Sequence, residues 1–443
     1  MKINIKEIES ATNAVVKGEF EGEVEISTDT RTIKRGDLYL PLKGATFDGE
    51  NFCDKALDAG AVGCFCTKQC PAKFSLQVED TTVAYMQIAN YIRNKYNPIV
   101  IGVTGSSGKT TTKEMIYSVV SNKFKTHKTF SNHNNEIGFC QTVLSMPIDT
   151  QVLIVEMGMR GLGEIEFIDK YAQPDYAVIT NAGSAHIGRL GSLDNIAKAK
   201  CEIANHLKKC LIANDNERIK KFVNFDGEKV YYSINDAKIL EKRKGYTKFV
   251  YKSNEYELNV EGDYNVENSI SAIEIGLHLG MSSAEIKEGL AHYKPIEKRW
   301  EEEKIGGFTI INDSYNANPE SMKASVSTFL ELYKNPVVVL GNMGELGEDE
   351  EKFHREVGKY LVQKALAQKE EVKFLTVGEL ACYIGDELSK CGFDVKSFDN
   401  NIETSRYILD NINAGSTIFL KASRSMKFEE IINELKTLCK QAN

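Results

Sequence analysis

The sequence predicts an α/β protein built as three blocks: a small α/β module over residues 1–84, a mostly parallel sheet over 85–302, and an open doubly wound sheet over 303–443. Three observations carry this. The chain has 443 residues, and a domain takes roughly 150. From Pro98 an apolar strand, a glycine loop and a helix follow one another repeatedly, which is the pattern of a parallel sheet covered on both faces. After the charged stretch 297–304 the same alternation begins again.

In the first block, short apolar-alternating runs at 24–26 and 38–42 read as strands, split by turn chemistry at Lys34-Arg35-Gly36-Asp37 and Phe47-Asp48-Gly49. In the second, strands are expected over 99–103, 152–155 and 176–180, with helices over 110–120 and 193–207. In the third, strands are expected over 308–311, 337–340, 372–377 and 417–420, with helices in the intervals. The acidic runs at 301–303 and 348–351 read as solvated surface.

Charge and composition narrow the functional classes. Lys plus Arg number 55 against 63 Asp plus Glu, a balance of −8, which argues against a protein held to nucleic acid by phosphate contacts. An anionic ligand must therefore be gripped locally. The opening MKINIKEIES has no apolar leader core, and the longest apolar runs are far short of a membrane span. A cytoplasmic protein is expected. Ten cysteines lack a framework spacing and are expected to be reduced thiols. The local cluster Cys64, Cys66 and Cys70 lacks a fourth zinc ligand at a standard spacing.

The most specific signal is Thr104-Gly105-Ser106-Ser107-Gly108-Lys109-Thr110-Thr111, directly after an apolar strand and before a helix. Glycines let backbone N–H groups turn around phosphate oxygens, and the helix start adds its positive end. Lys109 neutralises the outer phosphates, and Thr110 offers a hydroxyl to Mg²⁺. The loop is shorter than the full Walker pattern, with Val103 at the first glycine position. ATP or GTP binding is expected. Glu156 closes the apolar run 152–155, so it should stand at the carboxyl end of a buried strand, where α/β sheets place ligand chemistry and a carboxylate can hold Mg²⁺. His186 lies in a loop expected on the same sheet edge. From spacing alone Lys200, on a helix whose apolar positions are 196, 203 and 207, reads as a surface lysine.

Several separated segments resemble the Mur ligases, the ATP-dependent amide-forming enzymes of bacterial peptidoglycan precursor synthesis. They are the shortened phosphate loop, Asn134-Asn135-Glu136-Ile137-Gly138, Glu156-Met157-Gly158, Ala199-Lys200-x-Glu202-Ile203, Asn265-x-x-Asn268, and Arg299 with Glu301. The segment 313–319 with Ser321-Met322, the segment 343–347, and Ser423-Arg424-Ser425-Met426 look like the branch that adds D-alanyl-D-alanine. Lys298, Tyr264, Asn342 and Glu50 depart from that family's usual glycine, histidine, aspartate and histidine.

The resemblance implies a UDP-sugar-binding N-terminal domain, a central ATP-binding domain and a C-terminal Rossmann-like ligase domain. It implies ATP and Mg²⁺ as cofactors and, as substrates, UDP-N-acetylmuramoyl-tripeptide and D-alanyl-D-alanine, joined through an acyl phosphate. A monomer is expected. Another amide ligase of the family, adding the third residue or resembling folylpolyglutamate synthase, is the alternative. Carried over residue by residue, Lys109 and Thr110 would contact phosphates and Mg²⁺, Glu156 the first Mg²⁺, and His186 with N-carboxylated Lys200 the second. Asn268 would meet the adenine, Arg299 the γ-phosphate and Asp313 the nucleotide. Asp29, Thr30, Arg31, Lys43 and Asn135 would contact the UDP-muramyl group, and Asn316, Ser423 and Arg424 the dipeptide.

Overall fold

The computed structural model describes residues 1–441 apart from 45, 69, 296, 297 and 369, so the start of the charged stretch at 297 lies outside the described residues. The first block holds a five-stranded sheet in the order Val15–Lys17, Ser75–Gln77, Gly63–Cys66, Leu38–Tyr39, Ile26–Ser27. The run expected at 24–26 divides between two sheets: Val24 pairs antiparallel with Ile3, while Ile26 pairs parallel with Leu38. Cys64 and Cys66 lie buried on the central strand Gly63–Cys66.

The central sheet has six parallel strands in the order Glu228–Tyr232, Cys210–Asn214, Tyr176–Ile179, Ile99–Thr104, Val152–Glu156, Thr126–Lys128. Successive residues alternate between two apolar clusters. Val100, Leu153, Ala177 and Leu211 face one, and Ile101, Ile154, Val178 and Ile212 face the other. This two-sided burial is why these strands read as continuous apolar runs. The first cluster continues into the N-terminal module through Ile3, Phe65 and Ala84, so that module is mounted on the central sheet by a shared core. A three-stranded antiparallel sheet, Ala237–Arg243, Tyr246–Tyr251 and Asn254–Leu258, packs Phe249 and Tyr256 into the second cluster.

The third block is a six-stranded sheet ordered Glu301–Ile305, Phe308–Asn312, Thr417–Lys421, Pro336–Gly341, Lys373–Val377, Asp394–Phe398. All neighbours are parallel except the first pair. Glu301, Glu302 and Glu303 are exposed along that antiparallel edge, where charge discourages pairing with another chain. The helix Thr81–Tyr96 runs through the expected boundary at 84/85, and the strand Glu301–Ile305 runs through the one at 302/303. The helix expected over 193–207 ends at Cys201 and continues as a 3₁₀ turn, Glu202–Ala204.

Lys200 corrects the reading from spacing, because it is 1% exposed. Ile196, Ala197, Ala199 and Cys201 of its helix are buried as well. The helix is covered by neighbouring helices as well as by the core, so no one-faced periodicity applies to it.

Between the second and third blocks Trp300 packs on Phe419, ring centroids 5.3 Å apart, and Phe419 stacks on Phe329 at 5.0 Å. Phe419→Ala is expected to lower stability by about 3–5 kcal/mol, the usual cost of deleting a buried aromatic ring. Denaturant unfolding followed by circular dichroism measures it.

Candidate nucleotide and metal site

The strand Ile99–Thr104 lies between the neighbours Val152–Glu156 and Tyr176–Ile179, and its exit is tied down by Thr104, whose hydroxyl donates to the Met157 carbonyl at 2.8 Å. The two glycines of the loop are required by space. A Cβ on Gly105 would lie 1.8 Å from Thr180 Oγ1, and one on Gly108, where φ is +77°, would lie 2.6 Å from Asn268 Oδ1. Asn181 braces the loop: its Oδ1 accepts from the N–H groups of Ser106 and Ser107, both at 3.0 Å. The Thr180 hydroxyl donates to the Ser107 carbonyl at 2.6 Å.

The helix Lys109–Val120 begins at Gly108 without a side-chain cap, whereas Asp80, Asn135 and Ser192 cap the starts of theirs. Its first N–H groups are thus free of a side-chain acceptor, which is what an anion-binding helix start needs. Lys109 Nζ donates to the Gly105 carbonyl at 2.8 Å, and burial lowers its pKa below the ordinary lysine value. A phosphate beside it would favour the charged form again.

Glu156, 3% exposed, ends its strand as expected. Its Oε1 accepts from Asn134 Nδ2 at 3.0 Å and from the Thr110 hydroxyl at 3.3 Å. Its buried Oε2 accepts no hydrogen bond among the described residues. Lys113 stands 3.5 Å from that oxygen, completely buried, and donates to the carbonyls of Thr129 at 2.9 Å and Ser131 at 3.3 Å. A carboxylate oxygen with spare lone pairs beside a hydroxyl is a fitting pair of ligands for a hard cation. Among the described residues Lys200 Nζ makes no hydrogen bond or ion pair. Burial, reinforced by Lys109, pushes its pKa well below the ordinary lysine value.

The third block closes this region into a cavity of about 720 Å³. Lys298 and Trp300, with φ of 58° and 62°, bracket Arg299 in left-handed backbone. For Lys298 that is the conformation a glycine would take without strain. Arg299 donates from Nη2 to Thr110 Oγ1 at 3.1 Å, and its guanidinium lies 4.5 Å from the Tyr315 ring centre. Glu345 Oε2 approaches His186 Nδ1 to 2.5 Å, and the imidazole lowers the Glu345 pKa. Glu320 accepts from the Ser184 N–H at 3.0 Å and from its hydroxyl at 2.9 Å.

Of the residues expected at the site, Ser106, Ser107, Gly108, Lys109, Thr110, Thr111, Glu156, His186, Asn268, Arg299, Asp313 and Asn316 line one cavity. Thr104 and Gly105 are buried behind the loop. Asp313 is engaged by Lys421, 2.6 Å away. Asn135 does not line the cavity: its side chain caps a helix by accepting from Gly138 N–H at 3.0 Å, and its neighbour Asn134 holds Glu156. Ser423 and Arg424 also lie off the cavity wall, with Arg424 3.1 Å from Glu429. Asp29, Thr30, Arg31 and Lys43 are on the N-terminal module, where Arg31 Nη2 meets Asp29 Oδ2 at 2.6 Å. That hydrogen-bonded guanidinium holds the Asp29 carboxyl down to about 2. Glu50 ties the module together by accepting from the Thr67 N–H at 2.8 Å.

Residues that spacing did not single out are Lys113, Asn181, Glu320 and Lys421. A lysine one helical turn beyond Thr110 carries a faint signal, since it projects toward the loop's own end of the helix.

A phosphate loop at the point where strand order reverses, a buried carboxylate facing it, and a third domain folded over both define a nucleotide-dependent α/β enzyme of the P-loop type. Comparison with known proteins makes this specific. Residues 103–276 match the Mur ligase middle domain, and residues 298–424 the Mur ligase, glutamate ligase domain. The chain belongs to the Mur ligase family. It is 37% identical over 432 residues to the UDP-N-acetylmuramoyl-tripeptide--D-alanyl-D-alanine ligase of Bacillus subtilis, covering 93% of this chain and 92% of that one. Among solved structures it resembles MurF of Acinetobacter baumannii, with a TM-score of 0.90 at 27% identity and 99% of each chain covered. It also resembles MurF of Thermotoga maritima in complex with ADP, with a TM-score of 0.83 at 25% identity over 95% and 99% of the two chains.

Lys113→Met leaves Glu156 buried without its nearest cation, and a loss of about 3–5 kcal/mol of stability is expected. Adding Glu156→Gln should restore part of it. Unfolding of the two single variants and the double variant checks the coupling, and strictly additive losses would assign Lys113 to its carbonyl partners and to Glu114, 3.3 Å away, rather than to Glu156.

Proposed function

We propose that this protein joins D-alanyl-D-alanine to the terminal carboxylate of UDP-N-acetylmuramoyl-tripeptide, driven by ATP, and that it works as a cytoplasmic monomer. No helix among the described residues is long and apolar enough to cross a membrane. The observation that carries the reading is the convergence of the uncapped phosphate-loop helix, Glu156 and Arg299 on one cavity that the third domain covers.

A carboxylate and an amine do not condense spontaneously in water, so the carboxylate is first activated. One of its oxygens bonds to the γ-phosphorus while the bridging P–O bond breaks, giving acyl phosphate and ADP. The dipeptide amine then attacks the acyl carbon, phosphate leaves, and the amine gives up a proton. The chain's part is positioning and charge neutralisation. Lys109 and the first N–H groups of its helix hold the phosphates. Arg299, gripped between Thr110 and Tyr315, places a fixed cation where charge builds on the γ-phosphate. Asn268, beside Gly108, and Asp313 complete the nucleotide wall. The contacts of Glu345 and Glu320 hold the third domain against the loop 181–186 and keep water from the activated acid.

Thr110 and Glu156 would hold one Mg²⁺, and His186 with a carboxylated Lys200 the second, supplying charge neutralisation to the phosphates. The orphaned Glu156 Oε2 fits the first of these. Lys200 fits carboxylation because a buried amine pushed toward its neutral form is the nucleophilic form that CO₂ requires. The carbamate also removes a repulsive ammonium from beside a cation. Asp29, Thr30, Arg31 and Lys43 would meet the UDP end of the substrate, with Arg31 oriented by Asp29. Asn316 would meet the dipeptide.

ADP release should require the UDP-muramyl-tripeptide and should turn over only with D-alanyl-D-alanine present. A coupled ADP assay across UDP-muramyl peptides tests it, and equal rates without the dipeptide would overturn the assignment. Lys200→Ala should lose nearly all turnover and regain part of it with added short carboxylic acids. Unchanged turnover in that variant would remove the carbamate from the scheme.

A further inference from the structure

At the opposite end of the central sheet from the phosphate loop, three different ligand types converge. Cys210 and Glu228 are the first residues of adjacent parallel strands and are register partners. His278 is the last residue of the helix Asp263–His278. The cysteine sulfur, a carboxylate oxygen and a ring nitrogen of these residues all lie within 4.8 Å of one another, the one such group of three among the described residues.

The imidazole is oriented. Its Nδ1 is 2.8 Å from the carbonyl of Glu274, which can only accept, so Nδ1 carries a proton. In the neutral ring Nε2 then presents a lone pair, and it faces Glu228 Oε1, another acceptor, at 3.4 Å. Two lone pairs at that distance are reconciled either by a second proton on the ring, which makes an ion pair, or by a metal ion held between them. With Zn–N and Zn–O bonds of about 2.0–2.2 Å and tetrahedral angles, two ligands of one zinc ion stand roughly 3.4 Å apart. The backbone-bonded second nitrogen is the arrangement that fixes metal-binding histidines. The surrounding field favours a cation too. The helix contributes its negative end, and the Glu228 carboxylate stands beside the ring. Glu274 is itself engaged by Tyr251 and Lys252, and Lys209 nearby is paired with Asp175.

We propose that Cys210, Glu228 and His278 form a Zn²⁺ site, with water in the fourth position on the exposed Glu228 side. A thiolate, an imidazole and a carboxylate suit Zn²⁺ and disfavour Mg²⁺, so the site is distinct in chemistry and in place from the nucleotide site. Binding releases the thiol proton to solvent and forms the Zn–S bond.

The test is Co²⁺ titration of the full chain after chelator treatment, followed by its thiolate-to-metal charge-transfer band and by displacement with Zn²⁺. The band should saturate at one ion per chain, vanish in Cys210→Ser and persist in Cys391→Ser, which removes an exposed thiol instead. His278→Gln and Glu228→Gln should weaken binding by at least about tenfold while leaving ADP release unchanged. Absence of the band in the unaltered chain, or its survival in Cys210→Ser, would show that His278 and Glu228 form an ordinary ion pair and overturn the site. Should Cys210→Ser fail to fold, unaltered Co²⁺ affinity in His278→Gln has the same meaning.

Discussion

Everything at the carboxyl end of the central sheet depends on buried charge that the protein leaves incompletely neutralised. Lys109, Lys113 and Arg299 act electrostatically on or near Glu156, and Lys200 lies within reach of Lys109. Glu114 pairs with Lys113 and Glu345 acts on Lys109 as well, but Lys200 has no ion-pair partner among the described residues, and an uncompensated buried cation is costly. A triphosphate supplies the missing anions. A chain whose overall charge is negative can therefore still capture a polyanion, because a few desolvated cations outweigh a screened surface.

The same electrostatics explains why three domains are needed. Arg299 comes from the connection between the second and third blocks, and it reaches Thr110 only because residues 298–300 turn sharply through left-handed backbone. Glu345 and Glu320 approach the loop 181–186 from the third block, each bringing an acceptor to a polar group of the second. Beside these polar contacts, Trp300 and Ile187 are the second-block residues that pack against the third block's apolar cluster among the described residues, a small apolar share next to the core within each block. Such an interface opens and recloses more readily than a continuous core would. The N-terminal module differs, since its core runs into one face of the central sheet.

The two ends of the central sheet are used differently. The carboxyl ends of the strands carry loops and helix starts, hence donors and cations. The amino ends meet helix carboxyl termini, and there His278, Glu228 and Cys210 gather ligands suited to a cation. This asymmetry follows from the direction of parallel strands and the polarity of the helices between them.

Local pattern alone made the phosphate loop, the strand-end Glu156 and the alternation of strands and helices legible, because each depends on residues adjacent in the chain. Position within a packed layer did not show. Lys200 looked superficial because periodicity describes a helix with one buried face, and this helix is covered on several. Asn134 and Asn135 could not be told apart by spelling, yet backbone geometry assigned one to Glu156 and the other to capping. Lys113, Glu320 and Lys421 owe their roles to partners brought near by folding: Lys113 to carbonyls and a carboxylate on other elements, and the other two to residues more than a hundred positions away. Short-range order is written in the chain, while the neutralisation of a buried charge is decided only when distant segments fold against it.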